Sequence, residues 1–440
     1  MYFKARRTQP AFAASGRDTT LDKKIAAVKM RDITKRFGTV VANDRVWLDI
    51  YRGEVLALLG ENGSGKTTLM NMLSGIYFPD EGQILIDGEE VVIRSPRDAY
   101  RYGIGMIHQH FKLVDVFTAA ENITLGLEEK LDLKATAARI RSICERYGFE
   151  LDPDQKIYDM SVSQKQTVEI VKVLYRGADI LILDEPTAQL DPVAAAGFLS
   201  VLSRLHRDFG TTILISEHHL EGVVPEADAL FVLTESALVD KSPADTAQAL
   251  FKRRDPMFRA LPAVMQAGTL SNANPCPVSV AQGRAWLAGR PFSAPAFPAY
   301  KKPEQKPLLV CKDAAFTYSP EAPDVLSGCS FCVYPGERFA LLGANGSGKS
   351  TLLSLLSGLH TPYRGKIAID GQRPGARRLA VRTACRRIPS FSFPKRRLLK
   401  SFGTPQSVRG SPKRRQAGRS VPSAPTAHCR TSCSPGILMI

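Results

Sequence analysis

The sequence predicts an α/β fold in two tandem copies. Three observations carry that reading: an internal repeat, a glycine-rich loop between a strand and a helix in each copy, and an apolar strand that ends in two adjacent carboxylates. Set against itself at an offset of 283 residues, the chain aligns residues 50–88 with 333–371 at 23 identical positions of 39, the mark of a duplicated unit. Each copy reads as a buried strand (VLALLG, FALLG), a glycine-rich turn, a helix with apolar spacing (TLMNMLSGI, TLLSLLSGL), a Pro/Gly turn and a short strand (QILIDG, KIAIDG).

The loops GENGSGKTT at 60–68 and GANGSGKST at 343–351 match G-x-x-x-x-G-K-[ST] in the strand-to-helix setting that gives this pattern its meaning. In the first, Gly60, Gly63 and Gly65 let backbone N–H groups turn inward around a β-phosphate, and Asn62, Ser64 and Thr68 complete the loop. The helix N-terminus adds its positive end. Lys66 reaches for the β- and γ-phosphates and Thr67 places a hydroxyl on Mg²⁺. The second loop repeats this with Gly343, Asn345, Gly346, Ser347, Gly348, Lys349, Ser350 and Thr351, Ser350 being the Mg²⁺ hydroxyl. Both loops therefore predict ATP with Mg²⁺ as the bound group.

About 118 residues after the first loop, ILILDE at 180–185 fits a buried strand that delivers acids to the sheet edge beside the phosphates. Asp184 is placed to hold Mg²⁺ through water. Glu185 is placed to orient and deprotonate the attacking water, the one chemical task that in-line phosphoryl transfer leaves to a side chain.

On these motifs the chain resembles the ATP-binding cassette (ABC) family of transporter ATPases over roughly residues 28–371, as a P-loop NTPase fold with two tandem nucleotide-binding domains. The resemblance implies further roles. Phe37 (TKRFG) and Tyr318 (FTYSP) match the aromatic that stacks on adenine, and Gln109 (MIHQHF) matches the glutamine that senses Mg²⁺ and the membrane partner. Ser161, Ser163 and Gln164 stand in the signature segment, Asp191 (AQLDP) in the D-loop, and His218 (LISEHHL) at the switch histidine, with His219 competing for that place. Val162 and Ser163 replace the two glycines usual in the signature, as related nucleoside and sugar cassettes tolerate. Up to the carboxylate-bearing strand the chain is similar to nucleoside and simple-sugar importers of the basic-membrane-lipoprotein type. After it, the chain is similar to energy-coupling-factor ATPases of vitamin or cobalt uptake, and the two resemblances meet near residues 184–191.

The family implies an ATPase of the translocase type at the cytoplasmic face of a bacterial-type membrane. Its expected partners are transmembrane permease subunits, a substrate-binding protein or substrate-specific membrane component, and a second ABC ATPase domain, because each ATP lies between one domain's loop and another's signature. Two other functions are weighed: a catalytically impaired, truncated or chimeric nucleotide-binding product, and a double-cassette protein acting on ribosomes or DNA, for which the connector lacks a long charged helix.

Composition sets the remaining bounds. The formal net charge is +16, yet residues 372–440 hold sixteen Arg and Lys with no Asp or Glu, so the rest is neutral overall. The Arg runs at 395–397 and 413–415 lack interleaved aromatics, and no specific nucleic acid is expected. Eight irregularly spaced cysteines, with one isolated CxxC at Cys329 and Cys332, read as reduced thiols rather than a metal or disulfide frame. The N-terminus lacks the apolar stretch of a signal peptide, and nowhere do eighteen apolar residues run together. The expected divisions are an extension at 1–27, a first ATPase domain at 28–262, a linker at 263–308 with one helical turn near 281–287, a truncated second ATPase domain at 309–371 and a disordered basic tail at 372–440.

Overall fold

The computed structural model describes residues 26–109, 111–127, 132–233, 238–288, 305–374 and 437–439. Residues 1–25 of the expected extension at 1–27 and almost all of the basic tail, with both Arg runs, lie outside them. The chain divides into two compact units, one reaching Pro291 and one running from Phe292 onward, the second also taking Asp191–Val193.

The first unit begins with β1 (Ala26–Phe37), β2 (Val40–Tyr51) and β3 (Val55–Leu59), followed by α1 (Lys66–Leu73), β4 (Glu81–Ile86), β5 (Glu89–Val91), α2 (Pro96–Arg101) and β6 (Ile104–Ile107). Next come α3 (Ala119–Thr124), α4 (Leu133–Tyr147), α5 (Val162–Tyr175), β7 (Ile180–Asp184), α6 (Pro192–Phe209) and β8 (Thr212–Ser216). The unit closes with α7 (Leu220–Val223), β9 (Ala229–Val232), β10 (Leu238–Lys241), α8 (Pro243–Arg253), α9 (Ala263–Leu270) and α10 (Val280–Leu287).

An antiparallel sheet of order β2-β1-β4-β5 stands beside a larger sheet of order β10-β9-β3-β8-β7-β6, parallel throughout except at its β10 edge. The apolar runs explain the larger sheet. Buried on both faces, its strands need no polar alternation. Leu56 and Leu58 of β3, Ile180 and Ile182 of β7 and Leu214 of β8 point into one core, shared with α1 and the antiparallel sheet. Val55, Ala57 and Leu59, Leu181 and Leu183, and Ile213 and Ile215 point into the other, under α6 and α8. A third core joins α3, α4 and α5.

The stretch expected to be a linker carries two helices. One, α10, covers the anticipated turn; the other, α9, was not legible, being short and set among Pro, Ala and Gly. It forms because Met265, fully buried, and Leu261 close the core beneath α8. The first unit thus extends past residue 262.

The second unit holds β11 (Leu309–Phe316), β12 (Leu326–Val333), β13 (Ala340–Leu342), α11 (Lys349–Leu356), β14 (Arg364–Ile369) and β15 (Ile437–Met439). Its antiparallel sheet of order β12-β11-β14 repeats the first unit's β2-β1-β4 arrangement. Its phosphate-loop strand does not repeat β3: β13 is three residues long and largely exposed, where β3 is buried throughout. Among the described residues β13 pairs only with β15, in parallel. That pairing departs from the disordered tail expected of 372–440, for an apolar Ile-Leu-Met triplet adds readily to an open strand edge. No helix of the described residues is long and apolar enough to cross a membrane.

Candidate active site

Parallel strands that share a direction deliver the residues after each of them to one end of the sheet, and that end is where open α/β sheets bind ligands. Here β3 leads into the first glycine-rich loop, β6 into His108 and Gln109, β7 into Asp184 and Glu185, and β8 into Glu217 and His218. Four segments far apart in sequence therefore converge because hydrophobic burial fixes the strand order.

The loop at 60–68 turns as its glycines require. Gly65 has φ of 92°, and a Cβ there would overlap the carbonyl oxygen of Ala42, so no other residue fits without moving the backbone. The Lys66 ammonium donates to the carbonyls of Gly60 at 2.7 Å and Glu61 at 2.9 Å. Burial pulls its pKa down, against the opposing pull of Glu185 and Asp184. The Ser64 hydroxyl is buried without a hydrogen-bond partner, a group that a phosphate oxygen would satisfy. The second loop repeats both features: Lys349 donates to Gly343 at 2.8 Å and to Ala344 at 2.6 Å, and the Ser347 hydroxyl is likewise buried and unpartnered.

The Thr67 hydroxyl donates to Asp184 Oδ1 at 3.3 Å. Asp184 is 6% exposed, and burial raises its pKa, with the Thr67 hydrogen bond opposing and the Glu185 charge adding. The Thr67 hydroxyl and the Asp184 carboxylate are paired oxygen donors of the kind Mg²⁺ accepts alongside waters and phosphate, so these two residues fit that ion, while the Gln109 side chain is engaged through its nitrogen with Glu185. Ser350, in the second loop, has no described carboxylate counterpart to Asp184.

Glu185 is gripped from two sides: Gln109 Nε2 donates to its Oε2 at 2.9 Å, and His218 Nε2 donates to its Oε1 at 2.7 Å. Its backbone is left-handed, with φ of 47°, an uncommon state for a non-glycine residue that is held by its N–H donating to the Ser216 carbonyl at 2.9 Å. His218 reaches Glu185, whereas His219 stands at the start of α7 and its side chain makes no capping hydrogen bond. Two supporting residues carried no sequence signal. Gln189 Nε2 donates to the Gln109 carbonyl at 3.1 Å, and the buried Glu217 accepts from the Thr187 N–H at 2.7 Å. Gln189 thereby fixes the backbone from which Gln109 projects, and Glu217, which also accepts from the His218 N–H at 3.2 Å, fixes the one that carries His218.

The structure does not bring every anticipated residue to this cluster. Ser161 caps α5 in a full capping box with Gln164, its hydroxyl 3.1 Å from that of Ser163. Among the described residues nothing links these three to the first loop's own carboxylates. Asp191 accepts from the Val193 N–H at 3.0 Å at the start of α6. Phe37 is 43% exposed at the end of β1, and Tyr318 is 62% exposed in the second unit.

The sequence pattern of the ABC transporter family matches residues 43–188 and again 326–408. The chain belongs to the ABC transporter family. Its fold is the P-loop ABC ATPase fold with two family segments, and the second match continues past Gly371, where the repeat in the sequence ends, to residue 408. The nucleoside import ATP-binding protein of Lactococcus lactis is 36% identical over 356 residues, covering 79% of this chain and 64% of that protein. The ribose import ATP-binding protein of Rubrobacter xylanophilus is 34% identical over 349 residues, covering 78% of this chain and 62% of that protein. The chain thus spans under two thirds of the length of these curated relatives. An alignment covering 79% of the chain crosses residues 184–191, so one nucleoside-type relative matches both sides of the point where the two sequence resemblances meet. Among solved structures, CbiO1 of Clostridium perfringens, part of the ABC transporter complex CbiONQ, is 27% identical, covering 54% of this chain and 98% of that one with a TM-score of 0.45.

Proposed function

We propose that the chain is the ATP-binding and ATP-hydrolysing subunit of an importer for nucleosides or simple sugars, peripheral at the cytoplasmic face of the membrane and coupled to separate permease subunits and a substrate-binding protein. The observation that carries this reading is the grip of Gln109 and His218 on Glu185, next to the Thr67–Asp184 pair and Lys66. The substrate class follows the names of the relatives.

Bound ATP and Mg²⁺ supply the transferable phosphoryl group and the charge that neutralises its oxygens. The chain's own part is positional. Lys66 and the loop amides hold the phosphates, Ser64 donates its hydroxyl to a phosphate oxygen, and Thr67 and Asp184 hold the cation. Glu185 accepts the proton of the attacking water on a carboxylate oxygen that Gln109 and His218 keep aimed. The second unit repeats the lysine and loop serine but offers no described carboxylate beside them, so it binds nucleotide without hydrolysing it. Residues 161–164 serve the loop of another domain, from a second copy of this chain or a separate cassette subunit.

The test is ATP turnover by the full chain against Lys66→Ala and Lys349→Ala. Loss with the first substitution and persistence with the second support a single working motor; equal loss with both contradicts the division of labour.

A further inference from the structure

The two units share a feature outside every motif described above. In the first, the ring of Phe37 meets that of Tyr77 edge-to-face, centroids 5.2 Å apart and planes at 71°. In the second, Tyr318 meets His360 edge-to-face at 5.6 Å and 88°. Tyr77 and His360 occupy the same place in the repeat, four residues past the end of α1 and of α11, although one is a phenol and the other an imidazole. The backbone that carries them is also repeated. The Tyr77 N–H donates to Asn71 at 3.1 Å and the His360 N–H to Ser354 at 3.4 Å, while Asp80 N–H donates to Thr34 at 2.9 Å and Tyr363 N–H to Ala315 at 3.1 Å. Each unit thus staples the segment after its phosphate-loop helix to the strand that leads to the exposed aromatic, Phe37 at the end of β1 and Tyr318 two residues past the end of β11. In the first unit Lys35, paired with Asp80 at 2.8 Å, also sits 5.6 Å over the Phe37 ring. In the second, the Tyr318 hydroxyl lies 3.0 Å from that of Thr351, the last residue of the phosphate loop.

Two different side chains holding one geometry in two copies point to a requirement on the ring they touch. We propose that Tyr77 and His360 are positioning residues for nucleobase recognition. Each fixes the orientation of an exposed ring, Phe37 or Tyr318, relative to the helix that carries the phosphate loop, so that base and phosphates of one nucleotide are read together. This rests on the reading that both loops bind ATP. An edge-to-face pair contributes on the order of 1 kcal/mol beyond burial, and a base stacks well only on a ring held in place. Freeing the ring therefore forfeits part of the stacking while the phosphate contacts stay intact.

Binding of ATP and of inorganic tripolyphosphate to the full chain, with Lys349→Ala silencing the second loop, tests this. Tyr77→Ala is expected to weaken ATP about fivefold and leave tripolyphosphate unchanged, Tyr77→Phe to restore ATP binding, and Phe37→Ala with Tyr77→Ala to bind ATP no more weakly than Phe37→Ala alone. His360→Ala is expected to give the same split at the second loop when Lys66→Ala silences the first. Equal weakening of both ligands assigns these residues a merely structural role and overturns the proposal. Unchanged ATP binding, or additive losses in the double variant, also overturns it. A protein that binds tripolyphosphate as tightly as ATP denies the base platform itself, and one that binds neither denies the nucleotide reading beneath it.

Discussion

The Glu185 carboxylate and the His218 imidazole meet at 2.7 Å, joining the residue after β7 to the turn after β8. Adjacent parallel strands impose this meeting: Asp184 pairs with Ser216 across the sheet, so the residues just beyond each must lie side by side. His218 does not replace the carboxylate; it aims it. His218→Ala is therefore expected to lower ATP turnover about 100-fold with ATP affinity little changed. Measured turnover and affinity falling together would move His218 from aiming the base to holding the nucleotide.

Asp184 is a site where function costs stability. Its pKa is raised, first by burial, and a carboxyl raised in the folded state contributes stability below its unfolded pKa that is lost as pH rises through the folded one. At neutral pH the ionised side chain therefore weighs against the fold. Asp184→Asn is expected to raise the melting temperature of the nucleotide-free chain by about 2 °C at neutral pH, with the gain fading in acid, where the native carboxyl is neutral in both states. Turnover is expected to be lost. A lower melting temperature at neutral pH would contradict the sign.

The capping box of α5 gives a prediction about its start. Ser161 accepts from the Gln164 N–H at 3.2 Å while the Gln164 side chain accepts from the Ser161 N–H at 2.9 Å. Removing such a cap costs about 1 kcal/mol. Ser161→Ala is expected to melt the first unit about 2–4 °C earlier in a calorimetric scan, where Ser163→Ala does so less. Equal shifts for the two variants would deny the cap its share of the stability.

Much of this was legible because each signal was local. The glycine-rich loops, the ILILD strand and the LSGI-type helix turns announce their conformation within ten residues, and the repeat confirms them. The features that were not legible depend on packing at a distance. Helix α9 exists because Met265 finds a core built by α8, and neither its length nor its composition signals that. The roles of Gln189 and Glu217 are backbone hydrogen bonds made across the sheet edge. The exposed β13 and its partner β15 arise where the second unit lacks, among the described residues, the strands that flank β3.

The loop glycines set the last structural prediction. Gly65 is left-handed and sits against the Ala42 carbonyl, so Gly65→Ala strains the backbone whatever its neighbours do. ATP binding at the first loop is expected to be abolished, read by titration with Lys349→Ala silencing the second. Gly63, also left-handed but in open space, is expected to tolerate Ala better, and equal losses would contradict this geometry.

The most direct test of the account is ATP turnover by the full chain carrying Glu185→Gln, with ATP binding measured in parallel. Turnover is expected to fall by about 100-fold or more while ATP still binds, since the amide keeps the shape of the side chain and its contact with Gln109 but cannot take a proton from water. Turnover close to that of the unaltered protein would contradict the assignment of Glu185 as the base and, with it, the proposed motor in the first unit.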